Sequence, residues 1–302
     1  MEKTGDTSWM SPLNTEPGLL LVDKPAGLTS HDVVRGARAR LGEQRVGHTG
    51  TLDPFATGLL LLCVGSFTRA TEYFHDLAKT YRAAMRLGRE TTTDDLTGES
   101  VSESGAWREL SVDGVTDAVS AVLGPREQVP STYSAKRVGG VRAYNAARAG
   151  DEVELKPVPI IVHEVVVREV RLPDVAFDVT VSTGTYVRAL ARDLGRELGC
   201  GGHLTSLRRS GIGPFDVADA CPAEDLPRRE GLSAPSWRPA HIALGWLGRR
   251  ELTEAEAEEI GHGRTIAAAG EEGVVSLVFD GRLAAIAEVS GEELRPRKVF
   301  PA

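Results

Sequence analysis

The chain has 302 residues, of which 41% are hydrophobic and 26% are charged, and its formal net charge is −8. This length is comfortable for two domains, and the apolar share is enough to bury a sizeable core. Three cysteines without a CxxC pair argue against a disulfide framework and favour a reducing, cytoplasmic location, and the longest apolar run, Leu59 to Val64, is far too short to cross a bilayer.

The first part of the chain alternates between short strands and helices. Residues 1–16 have neither an apolar signal core nor a basic amphipathic pattern, and we expect a disordered lead-in. A helix is predicted from Thr29, which forms a capping-box pattern with Asp32. The remaining predicted elements here are strands over 18–23, 58–65 and 80–88, a turn-rich loop over 94–101 and a short helix over 114–124.

The second part is rich in β-branched residues and then changes composition. Strands are predicted over 157–172 and 175–183, and an amphipathic helix over 186–199 ends at Gly199. A stretch rich in proline and arginine, 226–240, is interpreted as a linker. Beyond it we expect one helix, over 253–263, and short strands over 274–280 and 283–289.

The order of these elements indicates a fold class. Helices and strands are mixed without a regular βαβ rhythm, which favours an α+β fold with a largely antiparallel sheet over a doubly wound one. The terminal part reads as a small, mostly β unit. The predicted architecture is therefore an α+β domain followed by a β-rich domain.

Several kinds of cofactor chemistry lack their motifs. No GxxxxGK[ST] occurs, and no GxGxxG follows a predicted strand, so a nucleotide cofactor is unsupported. Cys200 and His203 have a C-x2-H spacing without a second pair nearby, which is more typical of a loop after a helix end than of a metal site. We therefore expect neither a cofactor nor a metal.

Asp53 stands out because of its surroundings. For an isolated Asp-Pro pair, a turn is a sufficient explanation. Here glycines at 47, 50 and 58 permit close approach of a backbone or ligand, His48 adds a polar group, and an apolar strand follows as a rigid base. A carboxylate held in this way suits nucleophilic attack or stabilisation of an ion pair.

Two further segments carry candidate functional side chains. Tyr186 and Arg188 begin a helix just after a glycine-containing turn, where an arginine could pair with a buried carboxylate, although a surface arginine and a packing tyrosine explain the segment alone. Tyr81 stands among Lys79, Arg82 and further arginines, and rings among cations suit a flipped base stacked beside phosphates. An exposed strand often has the same pattern.

Together the segments resemble one family, the bacterial TruB-type tRNA pseudouridine synthases. The resemblance covers residues 17–215, and its GHxGxLDPxAxG pattern is highly specific. Six segments appear in the order and spacing of the family: "LLLVDKPAGLTSHDVV", "RVGHTGTLDPFATGLL", "KTYRAAMRLG", "VPSTYSAKRVGGVRAYNAARAG", "STGTYVRALARDLG" and "GCGGHLTSLRRSGIGPF".

The resemblance implies a fold and a reaction. The fold would be a pseudouridine-synthase-like mixed, largely antiparallel sheet with flanking helices, plus a small, mostly β, PUA-like C-terminal domain. The reaction would be the cofactor-free isomerisation of uridine to pseudouridine at position 55 in the T-loop of tRNA. The N1–C1′ bond breaks, the uracil turns, and C5 bonds to C1′.

The resemblance also implies roles for seven residues. Asp53 matches the catalytic aspartate, acting as nucleophile or as the base that removes a ribose proton. Tyr81 matches the tyrosine that stacks on the target base, and Arg188 the arginine paired with the aspartate. Four further positions match substrate-binding residues: His48 at the rearranged T-loop, Tyr186 and Leu207 lining the pocket, and Arg69 as a basic RNA contact.

The resemblance implies that the partner is tRNA, bound through its T-arm, and we expect no membrane anchor. We expect a monomer because the sequence has no coiled-coil pattern and no obvious apolar helix for association. The catalytic domain would span 17–235, with an inserted RNA-clamping segment at 129–158 that carries Lys136, Arg137, Arg142 and Arg148. The PUA-like domain would span 240–302.

The charge distribution fits a nucleic-acid partner better than the net charge does. Residues 31–90 hold nine Lys and Arg against six Asp and Glu, whereas residues 249–302 hold seven against eleven. The basic excess therefore lies with the motifs, while the acidic C-terminal part leaves its RNA contact in question.

Three alternatives stay open at this point. The chain could modify a different RNA, or bind RNA as a non-catalytic chaperone. It could also be a carboxylate-based glycosidase, but such enzymes use two facing carboxylates. The segments around Asp53 offer one carboxylate and an arginine, which favours isomerisation.

Overall fold

The computed structural model describes residues 17–131, 137–138, 141–142, 155–268 and 270–300. These residues form a large mixed sheet, a smaller second sheet and flanking helices, as the α+β prediction requires. No helix within the described ranges is long and apolar enough to cross a membrane.

The large sheet has eleven strands and carries the candidate site. Its order is β14-β1-β3-β12-β4-β11-β10-β7, with β2 on β3, β13 on β12 and β15 on β1. Only the pairs β1–β14 and β3–β12 are parallel. The strands are β1 Gly18–Lys24, β2 Val46–His48, β3 Thr57–Val64, β4 Lys79–Leu87, β7 Gly124–Gln128, β10 Val158–Arg171, β11 Asp174–Val181, β12 Gly202–Ile212, β13 Phe215–Asp216, β14 Cys221–Pro222 and β15 Trp237–Pro239.

Two short hairpins accompany this sheet. The first pairs β5 Arg89–Thr91 with β6 Ser100–Glu103, and the second pairs β8 Arg137–Val138 with β9 Val141–Arg142. The second lies in the segment for which the family resemblance implies RNA clamping. Lys136 and Arg148, two of its basic residues, lie outside the described residues, so that prediction stays a prediction.

Within the residues that the structure describes, five α-helices flank the sheets: α1 Ser30–Leu41, α2 Val112–Ser120, α3 Val187–Glu197, α4 Ala240–Ala243 and α5 Glu254–Gly261. The predicted capping box of α1 is confirmed, because the Thr29 hydroxyl accepts from the Asp32 amide while the Asp32 side chain accepts from the Thr29 amide. Short 3₁₀ helices span Gly65–Phe74, Ala106–Glu109, Val217–Asp219, Ala223–Asp225 and Arg229–Gly231.

The predicted helix over 114–124 is displaced in the structure. Ser111 accepts a hydrogen bond from the Gly114 amide and so begins α2 at Val112. The helix ends at Ser120, and Gly124, with a φ of +99°, redirects the chain into β7. The N-cap serine, rather than the apolar pattern, sets the start of the helix, and Ala121 is its C-cap.

The interpretation of 226–240 as a linker is wrong for its two ends. Leu226 and Trp237 are buried in a cluster with α1 and β1, and β15 pairs antiparallel with β1. Proline and arginine gave the segment a loop-like composition, but its few large apolar side chains complete the core beneath the sheet edge. The segment therefore packs against the large sheet.

The smaller sheet follows the order β16-β18-β19-β20-β17. Its strands are β16 Gly248–Glu251, β17 Ile266–Ala267, β18 Gly273–Phe279, β19 Arg282–Ser290 and β20 Glu293–Val299, which confirms the mostly β terminal unit. Phe300 and Ile286 of this unit share a buried cluster with Phe67 and Phe74 of the first 3₁₀ helix. The two sheets are thus joined through an aromatic core.

Close backbone approach between β3 and β12 fixes the base of the candidate site. Gly58 has a φ of +106°, and a Cβ there would lie 2.2 Å from the carbonyl oxygen of Arg209. Only glycine permits both the conformation and the contact. The loop that carries Asp53 therefore ends on a strand locked against its neighbour.

Candidate active site

A cavity of about 260 Å³ lies where the loop after β2, strands β4 and β12 and the start of α3 meet. Five of the seven predicted site residues line it, from four separate parts of the chain. They are Asp53, Tyr81, Tyr186, Arg188 and Leu207.

The loop that carries Asp53 is held on both sides of that residue. The Ser30 hydroxyl accepts from the Leu52 amide at 2.9 Å and donates to the Leu52 carbonyl at 3.2 Å. The Pro54 carbonyl accepts from the Gly27 amide at 2.8 Å and from Lys24 Nζ at 3.4 Å. Both neighbours of Asp53 are fixed by the β1–α1 connection, which limits the positions that its carboxylate can occupy.

Lys24 makes this connection from inside the protein. Its side chain is fully buried, and Nζ also donates to the carbonyls of Pro25 and Leu28, each at 2.8 Å. Burial lowers the pKa of Lys24 to about 8, against the attraction of Asp53, which raises it. The lysine therefore holds the turn over 25–28 and the Asp53 loop together.

Asp53 and Arg188 form the central ion pair. Arg188 Nε lies 2.9 Å from Asp53 Oδ2, and Arg188 Nη2 donates to Asp53 Oδ1 at 3.3 Å. The Asp53 side chain is 33% exposed, whereas that of Arg188 is 5% exposed. The buried guanidinium thus contacts both oxygens of a carboxylate that is accessible from the cavity. The family resemblance implies this pairing of the arginine with the aspartate.

A second carboxylate, Asp95, contacts Arg188 from behind and was missed by the sequence reasoning. Its Oδ2 lies 3.5 Å from Arg188 Nη1, which also donates to the Thr93 carbonyl at 2.9 Å. Its Oδ1 accepts from the Thr93 and Thr97 hydroxyls and from the Thr97 amide. The run "TTTDDLT" indicates such a local turn, but it does not reveal the arginine, which lies 93 positions away.

Helix α3 carries a ladder of three arginines at four-residue steps. Arg188 contacts Asp53 and Asp95, and the next two pair with acidic residues of the β4–β6 region. Arg192 lies 3.1 Å from Asp94, and Arg196 lies 2.7 Å from Glu90. One face of α3 therefore packs in the core, while another face forms ion pairs with the loop that holds Asp95.

Tyr81 and Leu207 come from adjacent strands. Residues 81 and 209, and residues 83 and 207, are register partners between β4 and β12. Tyr81 is half-buried at the boundary of the cavity, while Leu207 is 5% exposed. The ring and the aliphatic side chain together provide apolar walls for a planar group beside Asp53.

A second cavity of about 340 Å³ adjoins the first and shares Tyr81 with it. Its lining contains four basic side chains and no carboxylate: His48, His75, Lys79 and Arg209. The Arg209 side chain is buried and donates to the main-chain carbonyls of Leu59, Thr51 and Gly50. This cavity has the charge that an RNA backbone requires.

His48 lies in this second cavity in its neutral form. Burial, with the neighbouring His31, Arg209 and His75, lowers its pKa to about 4. Its ring meets that of His31 edge-on at 5.4 Å, and its buried Nδ1 has no hydrogen-bond partner among the described residues. An uncharged ring in the cavity lining suits contact with a base or sugar.

Arg69 is not brought to either cavity. Its side chain is exposed, its guanidinium donates to the Val299 carbonyl, and it lies over the Phe300 ring at 5.7 Å. These contacts join the first 3₁₀ helix to the end of β20. They favour a role between the two sheets over the RNA contact that the resemblance implies.

The metal possibility at Cys200 and His203 finds no support in the described residues. His203 Nδ1 lies 2.9 Å from the Arg89 carbonyl, and Cys200 is buried. Within the ranges that the structure describes, no group of three or more His, Cys, Asp or Glu residues could hold a metal ion.

Known structures share this architecture. A Cbf5-Nop10-Gar1 complex matches with a TM-score of 0.72 at 23% identity, covering 95% of this chain and 86% of the other. An H/ACA RNP bound to a substrate RNA matches with a TM-score of 0.71 at 23% identity and the same coverage. At this level of identity the likeness shows a shared fold, a large mixed sheet with flanking helices and a smaller β-rich unit.

The sequence comparisons give the family. The model of the TruB family pseudouridylate synthase N-terminal domain matches residues 38–187, and two C-terminal models, of tRNA pseudouridylate synthase B and of tRNA pseudouridine synthase II, match 188–231 and 247–301. Proteins named tRNA pseudouridine synthase B from Thermobifida fusca and Mycolicibacterium paratuberculosis are each 45% identical, covering 94% and 93% of this chain and 98% and 95% of their own lengths. This chain belongs to the TruB family of pseudouridylate synthases.

Proposed function

We propose that this protein isomerises uridine to pseudouridine at position 55 in the T-loop of tRNA. The observation that carries the proposal is the Asp53–Arg188 pair, which opens into a cavity walled by Tyr81 and Leu207. The relatives that match over most of the chain are named for activity on tRNA.

The reaction balances without a redox partner or a hydrolytic water. The N1–C1′ bond breaks, a C5–C1′ bond forms, the proton on C5 is lost and N1 gains one. A carboxylate can serve this exchange in two ways, by attacking the nucleotide or by removing a ribose proton. Both routes need an ionised Asp53 carboxylate in a fixed orientation. The two contacts from Arg188 fix that orientation.

The walls of the site suit an extruded base. An enzyme that acts on a stacked base must flip it out, at a cost of a few kcal/mol. Tyr81 offers a ring for stacking, and Tyr186 and Leu207 close the other sides of the cavity. The basic second cavity, with neutral His48, is where we propose that the RNA next to the target uridine binds.

Partner, location and organisation complete the proposal. We propose a monomeric enzyme that acts on one T-arm in the cytoplasm. We retain 17–235 as the catalytic domain, with 129–158 as its RNA-clamping insertion, and 240–302 as the PUA-like domain.

The test is incubation of the purified protein with a T-stem-loop transcript, followed by carbodiimide treatment and primer extension. The expected result is one stop at position 55 in the wild type. Modification of another RNA, with the T-loop unchanged, would replace the proposed substrate. Binding without a stop would favour the RNA-chaperone alternative, and release of free uracil would favour the glycosidase.

A further inference from the structure

Gln128, the last residue of β7, is buried and makes two hydrogen bonds to one distant residue. Its exposure is 2%. Its Oε1 accepts from the Tyr186 amide at 2.9 Å, and its Nε2 donates to the Tyr186 carbonyl at 3.1 Å. Because the amide and the carbonyl of Tyr186 need opposite partners, both ends of the Gln128 side chain are used.

The residue that Gln128 holds is critical for the site. Tyr186 is the N-cap of α3, and its own side chain makes no capping hydrogen bond. It lines the cavity, and Arg188 follows two positions later. The Gln128 side chain therefore fixes the backbone at the point where α3 begins and Arg188 turns towards Asp53.

The residues after Gln128 reinforce the same connection. Arg192, one helical turn beyond Arg188, donates to the Val129 carbonyl at 2.7 Å. The buried Ser131 donates to Asp94 at 2.6 Å, and Asp94 also pairs with Arg192. Residues 128–131 are thus hydrogen-bonded to α3 and to the loop that holds Asp95. Displacement of this strand end would therefore move the Arg188 guanidinium.

We propose that Gln128 is a positioning residue of the isomerisation reaction, which acts by holding the Tyr186 backbone and through it the orientation of Arg188 towards Asp53. It touches neither of the ionised groups directly. This inference rests on the proposed function, because its kinetic consequence is read in pseudouridine formation.

The test is Gln128→Met, which keeps the length of the side chain and removes both hydrogen bonds. We expect the single-turnover rate at saturating RNA to fall about 10-fold to 100-fold, as for a small misplacement of a reacting group, while the Kd for RNA changes less than about threefold. In an Arg188→Lys background, which already lacks the two-point contact, the same change should cost less than about threefold.

Two controls separate positioning from loss of stability. Val119→Ala in α2 removes buried volume at a residue that does not line the cavity, and should lower the melting temperature without a comparable loss of rate. Hydrogen exchange at the Tyr186 amide, measured without RNA, should accelerate in Gln128→Met and not in Val119→Ala.

A wild-type rate in Gln128→Met, or an equal loss in both backgrounds, would overturn the inference. A wild-type enzyme that modifies no RNA would overturn the proposed function instead, and the exchange data alone would then decide whether Gln128 holds Tyr186.

Discussion

At the scale of single residues, the site depends on where charge is placed and what surrounds it. Asp53 is one-third exposed, while the guanidinium that aims it is almost fully buried. Behind that guanidinium, Asp95 has one oxygen saturated by threonine donors and the other left to Arg188. An accessible carboxylate held by a buried guanidinium is the arrangement that electrostatic preorganisation requires.

The first residue-scale prediction concerns Asp53→Asn. The amide keeps the size of the side chain but can neither attack nor accept a proton, so pseudouridine formation should fall by at least about 10³-fold. RNA binding should stay within about threefold of the wild type, because the cavity walls are unchanged. Single-turnover assays and filter binding measure the two quantities, and Asp32→Asn on the exposed cap of α1 is the control. Turnover near the wild-type rate would exclude the role of Asp53.

The second concerns the protonation of His48. Its folded pKa of about 4 lies below the ordinary histidine value of 6.5, so the unfolded state binds more protons between these values. The free energy of unfolding should therefore decrease as the pH falls from 6.5 towards 4. Denaturant titrations across this range measure the slope, and His48→Gln should reduce it. A slope identical in both proteins would contradict the burial of a neutral ring.

At the scale of elements, α3 shows how one helix serves both core and site. Its apolar residues pack under β12 and β4, and its arginine ladder docks on the loop between β5 and β6. The capping box and the left-handed glycines make the ends of several elements predictable. The partners of the ladder are not predictable, since they lie about a hundred residues away and no local pattern pairs them.

A comparison of two rungs of the ladder tests this docking. Arg192→Met leaves Asp94 buried without its cation and should lower the free energy of unfolding by about 3 kcal/mol. Arg196→Met breaks a pair in which the arginine is 57% exposed, and should cost less than about 1 kcal/mol. Urea denaturation of the two variants measures the difference. Equal losses in the free energy of unfolding would mean that burial does not determine how much each ion pair contributes to stability.

At the scale of the whole molecule, an acidic protein presents a basic cavity. The net charge of −8 is carried partly by the C-terminal unit, while the second cavity is lined by cations alone among its charged side chains. Distant charges are screened over about 10 Å at ordinary ionic strength, so the local cations dominate contact with RNA.

The salt dependence of RNA binding tests this separation. Lys79→Gln should weaken binding and reduce the slope of log K against log salt by roughly one ion, as for the loss of one phosphate contact. Arg264→Gln, on the exposed surface of the C-terminal unit, should leave the slope unchanged. Filter binding over a series of salt concentrations provides both slopes. An equal effect of the two changes would contradict the placement of the second cavity in the RNA interface.

By itself, the sequence determined the local elements and supplied the candidate site residues. Period-two and helical patterns, caps and glycines act over a few residues, so β1, β3, β4, α1 and α3 could be predicted, and the family resemblance implied site roles for Asp53, Tyr81 and Arg188. Only the tertiary structure decided what those side chains contact. Asp95 behind Arg188, Gln128 on Tyr186, Lys24 under the Asp53 loop and Arg69 at Val299 are pairings between distant segments, created by strand order and burial, which no local pattern encodes.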